Sequence, residues 1–196
     1  PHGGCCRLAL TDEDKEGRDL FVAWARDAGC DVSVDRMGNI FARRPGRDDS
    51  LPPIVTGSHL DTQPHGGKFD GVYGVLAGLE VIRSLNDHGV ETEAPIEVTV
   101  WTNEEGSRFA PSMVASGVFG GKFDLGDALA IKDADGKSIG AELARIGYAG
   151  DLPCGGRPFG AFFEAHIEQG PILEAEGKAI GVVTGAQAQR WFDVTL

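Results

Sequence analysis

The sequence predicts an α/β fold, a three-layer sandwich around a mainly parallel sheet, and three observations carry that reading. Short apolar runs of strand length alternate with segments whose apolar residues recur at helical spacing. Glycine-marked clusters of histidine and carboxylate stand just after three of those runs, at the carboxyl ends where such sheets place their sites. The 196 residues are 41% hydrophobic, enough for one domain with a sizeable core, or one domain plus part of another.

Taken in order, Thr11 reads as a helix N-cap, with Asp12, Glu13 and Asp14 in the first turn. Leu20, Trp24 and Ala28 recur every four residues with Phe21 and Ala25 beside them, so an amphipathic helix ends near Gly29. Val32 and Val34 alternate with polar residues, Met37-Gly38-Asn39 is a turn, and Ile40-Phe41-Ala42 begins a second strand, which makes a hairpin. Residues 43–53 form a polar loop. Ile54-Val55-Thr56 is a short buried strand, and Val72, Val75, Leu79 and Ile82 follow helical spacing from just after Asp70 to near Gly89. Ile96, Val98, Val100 and Thr102 make the next strand, and residues 109–119 a short helix and turn. Residues 122–157 read as a mostly polar insertion with one weak helix, 138–146. Strands are expected at 161–166, 179–184 and 191–196.

Net charge is −12, which argues against nucleic acid as a partner because phosphate binding needs clustered Lys and Arg. No apolar run is long enough to span a bilayer. Cys5, Cys6, Cys30 and Cys154 show no CxxC spacing and read as reduced, which points to a cytoplasmic protein. The chain starts at Pro1 without a signal-like segment or an initiator Met, and reads as a fragment or a processed product.

Four clusters carry chemistry. His59 and Asp61 are two apart, so in extended chain they project to one side, and a carboxylate there can accept the second ring N–H of a metal-bound imidazole. The plainer reading is a loop histidine beside a solvated acid. Asp70 is either a helix cap or a carboxylate bridging two metals. Glu104-Glu105 places two carboxylates side by side, which raises one pKa unless a cation compensates. One can then bind metal while the other takes a proton from water. His166 is either a core histidine or a ligand; His2, His65 and His88 read as ordinary residues of polar or Gly-rich stretches.

Together, His-x-Asp, Asp, Glu-Glu and His in this order are far more specific than any one of them. The segments 57–71, 101–117 and 164–169, above all His166-Ile167-Glu168-Gln169-Gly170-Pro171, resemble the hydantoinase/carbamoylase branch of the dinuclear-zinc peptidase and amidohydrolase superfamily. That branch includes N-carbamoyl-L-amino-acid hydrolases, β-ureidopropionases and allantoate amidohydrolases. The resemblance implies a zinc-exopeptidase-like catalytic domain whose N-terminal part is residues 1–185. Residues 186–196 would begin an α+β lid and dimerisation domain, with Gln189–Leu196 as its first strand. It implies two Zn²⁺, with Mn²⁺ or Co²⁺ as substitutes. His59 would bind one and Asp70 bridge both, and Glu105 and His166 would bind the second. Glu104 would be the general base, Asp61 would orient His59, and Gln169 would contact substrate. The reaction implied is hydrolysis of the carbamoyl C–N bond of N-carbamoyl-L-amino acids or related ureido acids by a metal-activated water, in a homodimer formed through the lid. The resemblance puts the last metal ligand and the residues that hold the substrate carboxylate beyond Leu196, so residues 1–196 alone are expected to be nearly inactive. Alternatives are an aminoacylase or dipeptidase of the same superfamily, against which His166 argues, and a non-catalytic interaction module.

Overall fold

A computed structural model describes residues 3–186 and Val194. In chain order they form α1 (Asp12–Asp27), β1 (Asp31–Val34), β2 (Ile40–Arg44), β3 (Ile54–His59), α2 (Val72–Asp87) and β4 (Ile96–Trp101). After these come α3 (Val114–Phe119), α4 (Leu125–Ala130), α5 (Ile139–Ile146), β5 (Ala161–Phe163) and α6 (Ile172–Ala175). No helix among the described residues is long and apolar enough to cross a membrane.

The five strands form one sheet in the order β1-β2-β4-β3-β5. β3 runs parallel to both β4 and β5, whereas β1 pairs with β2, and β2 with β4, antiparallel. The sheet is therefore mixed rather than mainly parallel. The cause is local: the Met37-Gly38-Asn39 connection is too short for a crossover, so it can only return the chain antiparallel. The register sets His59 opposite Trp101, which brings the ends of β3 and β4 to the same edge of the sheet.

Phe21 and Ala25 of α1 and Val75, Leu79 and Ile82 of α2 share one apolar cluster with Ile40, Ala42, Val98 and Val100. Helix α2 lies close to the strands because Gly78 has no Cβ, which would stand 2.9 Å from Thr56 and 3.0 Å from Val98. The alternate strand positions carry an aromatic layer. Trp101 meets Phe119, at the end of α3, at 5.3 Å between ring centroids, and Phe119 meets Phe159 at 5.2 Å. Arg157 lies 4.4 Å from the Phe41 ring and donates to both oxygens of buried Glu97. That side is closed by aromatic rings and loop, not by a full helical layer, so the described residues do not establish a three-layer sandwich.

Helix α1 begins as expected, with the Thr11 hydroxyl accepting the Asp14 N–H. Its buried face differs from the expected one: Asp14, Arg18, Phe21 and Ala25 are buried, while Leu20 and Trp24 are exposed. An apolar count missed this face because it opens with an ion pair. Arg18 Nε donates to Asp14 Oδ2 at 2.8 Å, and the guanidinium also donates to Gly38 O (2.8 Å) and Thr102 Oγ1 (3.2 Å). Both side chains are fully buried, so each depends on the other for charge compensation.

Three further expectations need correction. Residues 122–157 are not a polar insertion with one helix: they form α4 and α5, and Ile139, Leu143 and Ile146 of α5 are core residues. The strand expected at 161–166 ends at Phe163. Residues 179–184 form no strand: among the described residues no strand lies beside them to complete a ladder, and Ile180, Val182 and Val183 are strongly exposed. The strand expected at 189–196 lies outside the described residues except for Val194.

Replacing Arg18 with Ala would leave Asp14 buried without its partner. Urea unfolding should show a loss of about 3–5 kcal/mol, and a loss below ~1 kcal/mol would contradict this account of the pair.

Candidate metal centre

The edge where β3 and β4 end carries the predicted residues. His59 is the last residue of β3, and the chain then turns through Leu60 and Asp61. Glu104 and Glu105 follow β4 after a two-residue turn in which Asn103 takes φ 51°, a conformation that asparagine tolerates. Asp70 precedes α2, and His166 lies three residues past β5.

Asp70 is not the helix cap. The N-cap of α2 is Gly71, at φ 68°, and no side chain caps that helix. A Cβ on Gly71 would lie 2.5 Å from the His59 ring, so the turn into α2 packs directly on the imidazole. The Asp70 carboxylate is thereby free for other work. Its Oδ2 accepts from Gln169 Nε2 at 2.7 Å, while Oδ1 is buried without a hydrogen-bond partner.

Two imidazoles face that orphaned oxygen. His59 Nε2 is 3.8 Å from Asp70 Oδ1, and His166 Nε2 is 3.2 Å from it. Their rings stack at 5.8 Å between centroids. His59 Nδ1 donates to the Asp61 carbonyl at 2.8 Å, and His166 Nδ1 donates to the Ile167 carbonyl at 2.8 Å. Since a carbonyl only accepts, the proton of each neutral ring sits on Nδ1 and the Nε2 lone pair is left free. One carboxylate oxygen and two imidazole lone pairs then converge with no donor among them. Such a set needs a proton or a cation at its middle, and the donors suit a divalent transition metal. His59, Asp70 and His166 offer ligand atoms all within 4.8 Å of one another.

Glu104 Oε2 lies 3.5 Å from His59 Nε2, beside this cluster. Burial pushes the Glu104 carboxyl up from its ordinary range; His59 opposes that shift, and Glu105 and Glu164 add to it. For His59, burial lowers the pKa, but the Asp61 and Glu104 carboxylates outweigh it and the net shift is upward. Glu105 stands outside the converging trio. Its Oε2 accepts from Gln63 Nε2 at 2.6 Å, and its Oε1 is buried without a partner.

The expected link between the Asp61 carboxylate and the His59 ring is replaced by another. It is the backbone carbonyl of Asp61 that holds His59 Nδ1; the carboxylate lies 3.8 Å from that nitrogen. The carboxylate turns instead to the neighbouring loop, where Oδ1 accepts the Glu104 N–H and Oδ2 the Glu105 N–H, each at 3.1 Å. The reason is the register: parallel β3 and β4 end together, so the first acid after β3 meets the first free amides after β4. Burial first, and the Asp14 carboxylate second, push the Asp61 pKa up to about 7, against the pull of His59 and the two amides.

Two contributors escaped the sequence reading. Gln63 carried no signal, being one amide among polar loop residues. Glu164, which accepts from the buried Ser58 hydroxyl, did carry one: two positions before His166 in extended chain, it shares that residue's side. His65 and His88 are exposed, as expected, and His2 lies outside the described residues.

A mixed α/β sheet with imidazoles and carboxylates converging beyond its parallel strands defines an α/β domain with a candidate divalent-cation centre. The chain belongs to peptidase family M20/M25/M40, whose family model matches residues 55–195. Over 194 residues it is 59% identical to an N-carbamoyl-L-amino-acid amidohydrolase of Rhizobium meliloti, covering 99% of this chain and 47% of the relative. It is 39% identical to a ureidoglycolate hydrolase of Arabidopsis thaliana, covering 96% of this chain and 41% of the relative. A crystal structure of a hydantoinase/carbamoylase-family amidase from Burkholderia multivorans superposes with a TM-score of 0.90 at 72% identity, covering 90% of this chain and 43% of that one. The chain thus spans about half the length of the curated relatives it matches.

Two outcomes test the site. Zn²⁺ should raise the thermal midpoint and EDTA should reverse the rise, with about 2.7 kcal/mol gained at a hundredfold excess over Kd; an unmoved midpoint excludes the cation. Asp61→Ala should leave two amides without an acceptor, so hydrogen exchange at Glu104 and Glu105 should accelerate markedly, by an opening energy of roughly 1–3 kcal/mol. Unchanged exchange would remove Asp61 from this role.

Proposed function

We propose that the protein is a metal-dependent amidohydrolase that cleaves the carbamoyl C–N bond of N-carbamoyl-L-amino acids or related ureido acids. The observation that carries this reading is the placement of Glu104, a half-buried carboxylate of raised pKa, against a trio of ligand atoms that lacks any donor. The names of the relatives supply the bond to be cleaved.

His59, Asp70 and His166 would hold a divalent cation, and Glu105 would serve as a further ligand where a second cation is bound. Zn²⁺ suits the nitrogen and carboxylate donors, and Mn²⁺ or Co²⁺ are substitutes. When bound, the metal supplies Lewis-acid polarisation and lowers the pKa of a nearby water. Glu104 takes the proton of the attacking water, for which its raised pKa fits it. It then returns that proton to the leaving nitrogen as the C–N bond breaks. Asp61 keeps Glu104 in reach by gripping its backbone and Glu105's, and its own carbonyl keeps the His59 tautomer correct. Gln169 sits beside Asp70, where a substrate polar group could also engage it. Residues 1–185 would be the N-terminal part of the catalytic domain and 186–196 the start of a lid through which a cytoplasmic homodimer forms.

The test is release of free amino acid from N-carbamoyl-L-amino acids by the complete protein with Zn²⁺. Glu104→Gln should lower kcat roughly 10²- to 10⁴-fold with metal content unchanged. Turnover of dipeptides or N-acyl amino acids, with none of carbamoyl substrates, would overturn the substrate class.

A further inference from the structure

Among the described residues three carboxylates have an orphaned oxygen; Asp14 faces the Arg18 guanidinium, and the other two, Asp70 and Glu105, share one arrangement. Asp70 gives Oδ2 to the Gln169 amide and leaves Oδ1 buried and unpartnered; Glu105 gives Oε2 to the Gln63 amide and leaves Oε1 buried and unpartnered. The last torsion of an acidic side chain is broad, so a free carboxylate samples many orientations. Fixing one oxygen fixes the plane, and with it the direction of the other oxygen.

The choice of donor matters as much as the bond. Lysine or arginine in either place would cancel the charge that draws a cation and would compete with it. An amide orients the carboxylate and leaves its charge intact. The cost of placing one of these amides is visible in the backbone. Gln169 has φ 54°, a left-handed conformation in which glycine is the unstrained residue. Each amide also spans two segments: Gln63, after β3, reaches the loop after β4, and Gln169, after β5, reaches the turn before α2.

We infer that Gln63 and Gln169 are a matched pair of positioning residues, each turning one oxygen of its carboxylate toward a divalent cation. The inference rests on reading the centre as a metal site, and the experiment separates the two. Zn²⁺ is titrated calorimetrically into the full chain, into Gln63→Met and into Gln169→Gly, with thermal midpoints recorded for each metal-free protein. Met keeps the length of Gln63 without the donor, and Gly removes the Gln169 amide from a backbone that suits it. Each substitution should weaken Zn²⁺ binding about 10- to 100-fold and leave the metal-free midpoint in place. In a Glu105→Gln background, Gln63→Met should add no further loss, because the amide acts through that carboxylate. Wild-type binding with both single variants within about twofold of it would overturn the inference alone. So would a loss that comes with a fallen metal-free midpoint, or one that persists in the Glu105→Gln background. No Zn²⁺ binding by the wild-type chain would overturn both the inference and the metal-site reading.

Discussion

The centre depends on one buried carboxylate with three attachments. Asp61 accepts the amides of Glu104 and Glu105 through its side chain and the His59 ring through its carbonyl. A desolvated carboxylate is costly, and two N–H donors offset only part of that cost, as its upward-shifted pKa records. The return is a fixed distance between the end of β3 and the end of β4. Without it, Glu104 and the His59 imidazole would sit on two independent loops. Behind it stands a second buried polar layer, in which Arg18 ties α1 to Thr102, and Asn39 accepts the Thr102 N–H at 3.0 Å.

The mixed sheet serves the same end. The three parallel strands β4, β3 and β5 deliver Glu104-Glu105, His59 and His166 to one edge, while the antiparallel hairpin β1-β2 covers the far flank of β4. Chemistry is confined to the parallel part, and the antiparallel part supplies core and the Asn39 prop.

The strands and long helices were legible because their apolar periods are strong: α2, β3 and β4 all stand where their spacing puts them. The buried face of α1 was not, since a hydrophobic count cannot anticipate that Asp14 and Arg18 pair inside. The short helix α4 was hidden by its polar surroundings, although Asp124 caps it by accepting the Gly126 and Asp127 amides. At the centre, residue types and order singled out His59, Asp61, Asp70, the Glu104-Glu105 pair and His166, and only the family resemblance gave each a separate role. The partners did not follow from order. Which oxygen of Asp61 meets which hydrogen depends on strand register, and the roles of Gln63 and Gln169 depend on loops that meet only in three dimensions.

Gly71 offers no side chain to the cluster, yet that missing side chain lets the turn into α2 rest on the His59 ring. Helix and imidazole consequently behave as one mechanical body: a tilt of α2 is a displacement of Nε2. Position 71 is thus intolerant of exchange for a steric rather than a chemical reason. A survey that scored residues only by the bonds they make would pass over it.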